Sequence, residues 1–326
     1  MKATLRALAV VAGTIGLGVN AQAETWTAYT YLPSPTVEGS KALQDIATQV
    51  GEITGGRVTA NFSVGGSMPI AGNTITQAVG DGIIQLADDG FFSGNVELGG
   101  IFGLPLLFQS WEEYERGLEI VRPYLAEAFL EQNVVVLGNY SWPAQVLFTN
   151  QKMTGLDDYK GLKVRPSSPE QAEFVRRMGG TPVSMSSAEV ASAMQTGVVN
   201  GVFTASVSGG RIWREQIKYN YRLPLNYFPS LIVMNQATFE SLSADEQAAL
   251  KSYVTERTAA ATKLNSEDEA GVTREFADGG MTVTEPTQAD FDAGLAAVSS
   301  YWDEWARSRS ERTQKVLAEV RQALGR

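Results

Sequence analysis

The sequence of 326 residues contains no cysteine and no histidine, and these two absences exclude several kinds of site. Without them the chain has no Ser-His-Asp triad, no thiol nucleophile, no disulfide, no haem ligated by histidine and no zinc site of the usual kind. Any chemistry must therefore use carboxylates, lysine, tyrosine or hydroxyl groups.

Positive charge is also scarce, with 26 Lys and Arg against 36 Asp and Glu and a net charge of −10. An acidic chain is not attracted to phosphate backbones, and no cluster of Lys or Arg overrides this balance, so we expect no nucleic-acid partner. The hydrophobic fraction of 44% and the charged fraction of 19% are typical of a globular protein. The length suggests two domains.

The N-terminal segment, residues 1–23, has the pattern of a secretory signal peptide. Lys2 and Arg6 precede an apolar run, and Ala21-Gln22-Ala23 is a small-x-small cleavage pattern. The alternative, a membrane anchor, needs roughly 18 apolar residues, and glycines weaken this shorter run. No cysteine follows that could carry a lipid. We therefore expect the mature chain to be exported, most simply to a Gram-negative periplasm, although full secretion is also compatible with the sequence.

Strand and helix patterns alternate along the rest of the chain, which predicts α/β domains with largely parallel sheets. One helical segment is longer than a small domain. It opens with a capping box at Ser243 and Glu246, and Gly271 is the one residue that interrupts it before Gly279. About 34 helical residues span roughly 50 Å. The alternative is two helices that break near Gly271, but one glycine costs only about 1 kcal/mol, which favours a single helix.

Five short motifs occur in an order that resembles the solute-binding proteins of TRAP transporters, the DctP-like family. They are Gly-Gly-Ser-Met at 65–68, Leu-Pro-Leu-Leu-Phe at 104–108, Gly-Leu-Lys-Val-Arg-Pro at 161–166, Met-Gly-Gly-Thr-Pro-Val at 178–183 and Ala-Met-Gln-Thr-Gly-Val-Val-Asn-Gly at 193–201. The resemblance covers essentially the whole chain after the signal peptide.

The resemblance implies an α/β, two-lobed fold like that of periplasmic binding proteins, with crossing hinge strands and one long bridging helix. We expect the strands near 145–150 and 230–235 to cross between the lobes. The predicted division is residues 24–147 and 234–260 in lobe I, residues 148–233 and 261–326 in lobe II, and a helix at about 244–277 that spans both.

The implied function is binding rather than catalysis. The protein would capture a small organic acid, with a monocarboxylate favoured, and deliver it to the membrane permease subunits of a TRAP transporter. We expect a monomer without a cofactor. Two alternatives are the binding protein of an ATP-driven importer and a periplasmic enzyme that uses two carboxylates, such as a glycosidase. Asp88-Asp89 and Glu112-Glu113 are adjacent pairs whose side chains point different ways, and we interpret them as surface acids.

Arg165 is the principal candidate for binding the carboxylate of the solute, because it occupies the position of the family's ligand-binding arginine. It ends a short predicted strand, and ligands of open α/β sheets lie beyond the carboxyl ends of strands. Ser168 and Pro169 then start a helix whose free N–H groups suit an anion. The alternative is a surface arginine paired with an acidic side chain.

Other cleft candidates follow from the position of each residue in the resemblance. The family's Glu-Asn or Glu-Trp pair is absent after Asn200, so solute binding should need no metal. Each aromatic candidate has core packing as its alternative. The further predicted contacts are Thr204 as a polar group, Phe203 as a wall, Trp142 and Gln145 near the crossing strands, and Tyr31, Ser67 and Phe92 in the first lobe.

Overall fold

The computed structural model describes residues 23–326, so the predicted signal peptide, apart from Ala23, lies outside the described residues. The chain forms two mixed α/β layers, each built on its own β-sheet. In this part of the chain no helix is sufficiently long and apolar to cross a membrane.

The first sheet has the strand order β2-β1-β3-β10-β4. Its strands are β1 (Glu24–Thr30), β2 (Val58–Ser63), β3 (Leu86–Asp89), β4 (Val134–Ser141) and β10 (Pro229–Asn235). Strands β2, β1 and β3 are parallel, whereas β10 runs antiparallel to both β3 and β4. Because successive side chains alternate between faces, Ile232 and Met234 enter one core and Leu231 and Val233 enter the other.

The second sheet has the order β11-β9-β5-β8-β6-β7. Its strands are β5 (Gln145–Thr149), β6 (Lys163–Arg165), β7 (Thr181–Pro182), β8 (Gly201–Thr204), β9 (Tyr219–Asn226) and β11 (Thr282–Thr284). One face packs through Leu147 and Phe203 against Phe174, and the other carries Phe148 and Val202.

The helices cover both faces of each sheet and follow the predicted capping signals. Ser168 caps α4 by accepting a hydrogen bond from the Gln171 backbone, and Ser243 forms a capping box with Glu246. The helices are α1 (Glu38–Ile53), α2 (Ile75–Gly80), α3 (Trp111–Leu130), α4 (Pro169–Arg177), α5 (Val190–Gln195), α6 (Gln236–Glu240), α7 (Ala244–Asp278), α8 (Gln288–Arg307) and α9 (Glu311–Ala323).

In the described part of the chain, the connections between the two layers include two short segments and the helices α7 and α8. Residues 142–144 link β4 to β5, residues 227 and 228 link β9 to β10, and the Trp142 N–H donates to the Phe228 carbonyl at 3.1 Å. Helix α7 has 35 residues and passes through Gly271 without a break. It packs on α1 and β4 of the first layer, and its Phe276 lies edge-on to Phe148 of the second. The predicted long bridging helix is confirmed. The strands predicted to cross near 145–150 and 230–235 each lie within one sheet, and the chain crosses in the short segments beside them.

The division between the layers differs from the predicted boundaries. Positions 147 and 233 fall inside β5 and β10, because β5 pairs wholly with the second sheet and β10 wholly with the first. Helix α9, predicted in lobe II, packs on α3 of the first layer through an apolar stripe that includes Leu317. The Trp302 indole of α8 also donates to the Pro105 carbonyl at 3.0 Å. The sequence pattern gives an apolar face for such helices but not the sheet that covers it.

Candidate functional site

One end of the strands of the second sheet lies next to the connections between the layers, and we call it the Arg165 edge. It brings three predicted site residues together. Parallel strands β6 and β8 end at this edge, and antiparallel β5 begins there, with Arg165 beside Val202 and Thr204 beside Val146. Arg165, Thr204 and Gln145 therefore lie along one border, next to the crossing segments. Carboxyl ends of strands in open α/β sheets are the usual place for a ligand.

The Arg165 guanidinium is buried at this edge, with 6% of the residue exposed. Its Nε donates to the Met185 carbonyl and its Nη2 to Ser187 Oγ, both at 3.3 Å. No carboxylate within the described residues pairs with it, and burial lowers the pKa of Arg165 to about 10. Holding this charge without an anionic partner is unfavourable, so the site is suited to an anion.

A second, mostly buried arginine of the same layer shows how a carboxylate of the protein neutralises such a guanidinium. Arg222 pairs with Glu269 of α7 at 2.9 Å and also donates to Ser206 Oγ at 3.0 Å. Glu269 in turn accepts the backbone N–H groups of Ser206 and Val207. The fold thus neutralises Arg222 with its own carboxylate, which distinguishes it from Arg165.

The start of α4 beside Arg165 is partly closed by its own side chains. Ser168 Oγ accepts the Gln171 N–H at 3.2 Å, and the Gln171 carboxamide oxygen accepts both the N–H and the hydroxyl of Ser167. Gln171 then donates to Asn226 Oδ1 at 3.0 Å. These bonds tie the loop after β6 to the end of β9, so they fix the backbone around Arg165.

The first layer contributes an aromatic wall at the connections. The Trp142 indole N–H donates to Tyr31 Oη at 3.1 Å. The Tyr31 ring lies edge-on to Phe91, with 5.2 Å between centroids, and Tyr31 and Phe91 are both partly exposed. We call Tyr31, Phe91 and Trp142 the aromatic wall. Tyr31 and Trp142 were predicted site residues, and the structure brings them into contact.

Two other predicted aromatic contacts lie in hydrophobic cores. Phe203 is 1% exposed and packs near Phe174, because its position in β8 points to the α4 face of the sheet. Phe92 is buried against Phe129, and its neighbour Phe91 instead faces Tyr31. Neither ring is exposed, so neither is placed to contact a solute as predicted.

The remaining predicted polar residues bond to nearby backbone. Thr204 Oγ1 accepts the Gly209 N–H at 3.0 Å and donates to the Ala205 carbonyl. The Gln145 carboxamide donates to the Pro143 carbonyl at 3.3 Å, in the crossing segment. Ser67 is exposed and donates to the Val64 carbonyl at 2.5 Å. These bonds define local turns, and the pairing of Gln145 with Asn226 places Gln145 at the start of β5.

The acidic pair in β3 differs most from the sequence interpretation. Asp88 and Asp89 have no exposed surface, because β3 lies inside the first sheet. Three hydroxyl groups donate to Asp88, and the Thr76 hydroxyl and the Phe91 N–H donate to Asp89. Burial raises the pKa of Asp88 to about 6 and that of Asp89 to about 7. The interpretation as surface acids is wrong for this pair.

The sequence analysis did not predict three residues around Arg165, namely Met185, Ser187 and Asn226. They carry no pattern that separates them from ordinary loop and strand residues.

Comparison with known proteins assigns the chain to a family. Residues 29–308 match the model of the DctP family, described as bacterial extracellular solute-binding protein, family 7. The chain belongs to this family. A relative named solute-binding protein from Chromohalobacter salexigens is 24% identical over 318 residues, which cover 95% of this chain and 92% of the relative. The DctP family comprises binding proteins rather than enzymes, and its TRAP members work with a membrane permease.

Solved structures confirm the fold of this DctP-family protein. DctP7 of Bordetella pertussis, an extracytoplasmic solute receptor that binds pyroglutamic acid, has a TM-score of 0.84 at 22% identity over 92% of this chain and 100% of its own. A TRAP periplasmic solute-binding protein from Sulfitobacter with bound β-D-galacturonate has a TM-score of 0.82 at 22% identity, covering 92% and 100%. The family match confirms the predicted function as an extracytoplasmic solute-binding protein.

Proposed function

We propose that this DctP-family protein captures a small monocarboxylate between its two layers and that Arg165 binds the carboxylate. The observation that carries the proposal is the buried guanidinium without a charged partner within the described residues. A carboxylate would supply the missing negative charge and accept two parallel N–H bonds, a geometry that suits arginine better than lysine. The two solved structures described above each bind an acid with one carboxylate.

The hydrogen bonds of Arg165 leave donors free for such a solute. Nε and one N–H of Nη2 face Met185 and Ser187 at the long distance of 3.3 Å, and Nη1 has no partner within the described residues. Nη1 and the second N–H of Nη2 form the fork that would hold the carboxylate. Ser187 and the Met185 carbonyl orient the guanidinium from behind.

The aromatic wall favours a solute that has one carboxylate and an apolar or cyclic body. Tyr31, Phe91 and Trp142 offer rings and a phenol oxygen, and none of the three carries a charge that could bind a second carboxylate. Gln145 supplies a carboxamide at the crossing segment. We therefore propose a small cyclic monocarboxylate, of the kind that pyroglutamate represents, in preference to a dicarboxylate.

The proposal extends to the oligomeric state of the protein, its need for a metal or cofactor, and the delivery of the solute. The protein would act as a monomer, bind its solute without a metal or cofactor, leave the solute chemically unchanged and pass it to the permease subunits. The two layers would move as the lobes of a clamp about residues 142–144, residues 227 and 228, and α7. Solute that contacts both lobes would shift an existing equilibrium toward the closed state.

Thermal unfolding of the mature protein with a panel of acids tests the proposal. Pyroglutamate, D-galacturonate and succinate serve as cyclic, sugar and dicarboxylate probes, and mass spectrometry identifies any acid that co-purifies. A cognate acid at 100 times its Kd should stabilise the protein by about 2.7 kcal/mol and should do so only when Arg165 is intact. Stronger stabilisation by succinate would contradict the monocarboxylate assignment. A new product in the mixture would instead indicate an enzyme.

A further inference from the structure

The Asp88 carboxylate is the point at which three strands of the first sheet meet. Its Oδ2 accepts hydrogen bonds from Thr30 Oγ1 of β1 at 2.8 Å and from Tyr140 Oη of β4 at 2.9 Å. Its Oδ1 accepts one from Ser230 Oγ of β10 at 2.5 Å. All of these groups are buried, so one side chain crosslinks β1, β4 and β10 away from solvent.

Two of the three strands lead directly into the crossing segments. Tyr140 lies two residues before Trp142, and Ser230 lies two residues after Phe228. The Tyr140 ring packs edge-on against Trp142, with 5.5 Å between centroids, and the Trp142 indole donates to Tyr31. A chain of contacts therefore runs from Asp88 through Tyr140 to the aromatic wall.

The backbone of α1 closes the space around this chain. A Cβ added at Gly39 would lie 2.1 Å from Tyr140 Oη and 2.5 Å from its ring. The glycine thus permits the helix to pack directly on the phenol group. Tyr140 is held by α1 on one side and by Asp88 on the other, so a change at Asp88 acts on a side chain with little room to relax.

We propose that Asp88 is a positioning residue for solute capture, whose carboxylate fixes the ends of β4 and β10 and, through Tyr140, the Trp142–Tyr31 pair of the aromatic wall. The effect on solute binding rests on the proposed function of the cleft. The effect on the Trp142 indole does not, so the two parts can be tested separately.

The surroundings of Asp88 make this positioning sensitive to protonation. The titratable groups that face it are Tyr31 directly after β1, Tyr140 of β4 and Asp89 of β3, while β10 contributes the Ser230 hydroxyl; none of these is a cation. The sequence has no histidine, and burial raises the pKa of Asp88 to about 6. An ionised carboxylate accepts all three hydroxyl bonds, whereas a protonated one turns one oxygen into a donor and loses an acceptor position.

Nuclear magnetic resonance of the Trp142 indole N–H tests the positioning in the absence of solute, with Trp142→Phe used for assignment. As the pH falls from about 8 to about 5, we expect the wild-type signal to shift with the protonation of Asp88. Asp88→Asn and Tyr140→Phe should both abolish this shift, and Tyr140→Phe does so without altering the acid. A signal that stays constant in the wild type, or that still shifts in Asp88→Asn, would overturn the proposal.

Asp89→Asn is the matched control, because Asp89 is an equally buried neighbour that bonds Thr76 and the Phe91 N–H instead of the β4 and β10 ends. In Asp89→Asn the pH-dependent shift of the Trp142 indole signal should persist. Its midpoint should lie at a lower pH, since the removal of a nearby negative charge lowers the pKa of Asp88. Loss of the shift in this variant, with retention in Asp88→Asn, would assign the effect to Asp89 and refute the role of Asp88.

Calorimetry with pyroglutamate as the probe then tests the link to solute capture. Wild-type affinity should fall about fivefold between about pH 7.5 and about pH 5.5, the loss expected for one hydrogen bond, and Asp88→Asn should show no such dependence. Equal pH dependence in both proteins would refute the link. If pyroglutamate does not bind at either pH while the indole shifts as expected, the choice of solute class fails and the positioning role of Asp88 stands.

Discussion

Replacement of Arg165 by methionine should have opposite effects on binding and on the stability of the empty protein. The side chain keeps a similar length but loses its charge and its donors. A hydrogen bond to a charged group contributes about 1.5 to 3 kcal/mol, so the loss of two should weaken binding of the cognate acid by about 3 to 6 kcal/mol, or roughly 10²- to 10⁴-fold.

The empty protein should tolerate this change. Burial lowers the pKa of Arg165 from 12.5 to about 10. At 1.36 kcal/mol for each pKa unit, the charge costs about 3 kcal/mol at this site. Removal of the charge relieves that cost, while the two long hydrogen bonds to Met185 and Ser187 are lost. We expect the free energy of unfolding of Arg165→Met to lie between the wild-type value and about 3 kcal/mol above it.

Arg222→Met is the matched control, since Arg222 is also mostly buried but pairs with Glu269. Its removal leaves a buried carboxylate without its cation and should destabilise the protein by about 3 to 5 kcal/mol with little effect on solute affinity. Urea unfolding and calorimetry on the three proteins measure both quantities. Wild-type affinity in Arg165→Met, or a loss of stability equal to that of Arg222→Met, would refute the reasoning.

Four further predictions concern closure, metals, the long helix and pH. Small-angle scattering should show a more compact molecule with saturating solute, because the lobes close about their connections; identical profiles would contradict the clamp. Dialysis against a chelator should leave the solute affinity unchanged, since the described residues contain no cluster of three or more acidic side chains that could hold a metal. Gly271→Ala should raise the free energy of unfolding by about 1 kcal/mol, as an added Cβ meets no atom within 4 Å, and Gly271→Pro should lower it by about 3 kcal/mol. Asp88 and Asp89 have raised pKa values of about 6 and about 7, so they bind protons more tightly in the folded state, and the free energy of unfolding should rise as the pH falls from about 8 to about 5. Urea unfolding at both pH values checks this sign, and the double Asn variant should show a smaller change.

The sequence by itself determined the features that depend on neighbouring residues. The capping box at Ser243 and Glu246 and the lack of a strong helix breaker predicted α7 almost to the residue. Ser168 and Pro169 predicted the start of α4. Such signals are local because capping groups and helical periodicity act within a few residues of each other. Together with five ordered motifs, they were sufficient for the fold, the family and the candidate arginine.

Tertiary structure decided which face each side chain takes and which partner it meets. Phe203 and Phe92 enter cores because the strand or turn that carries each one presents it to a helix, and the sequence contains no signal for that choice. The lobe boundaries depended on strand pairing, which joins β10 to β3 and β4 across long stretches of chain.

The pair Asp88-Asp89 shows most clearly that the sequence alone does not determine which partners a side chain meets. From the sequence, two adjacent aspartates predict a solvated surface, because burial of an unpartnered carboxylate is costly. The fold removes that cost for Asp88 with hydroxyls from Thr30, Tyr140 and Ser230, which lie 58, 52 and 142 residues away along the chain. Arg165 is the converse case, since its charge has no such partner within the described residues. The sequence thus supplied the charged groups, and only their distant neighbours determined which of them the protein neutralises itself and which it leaves for a solute.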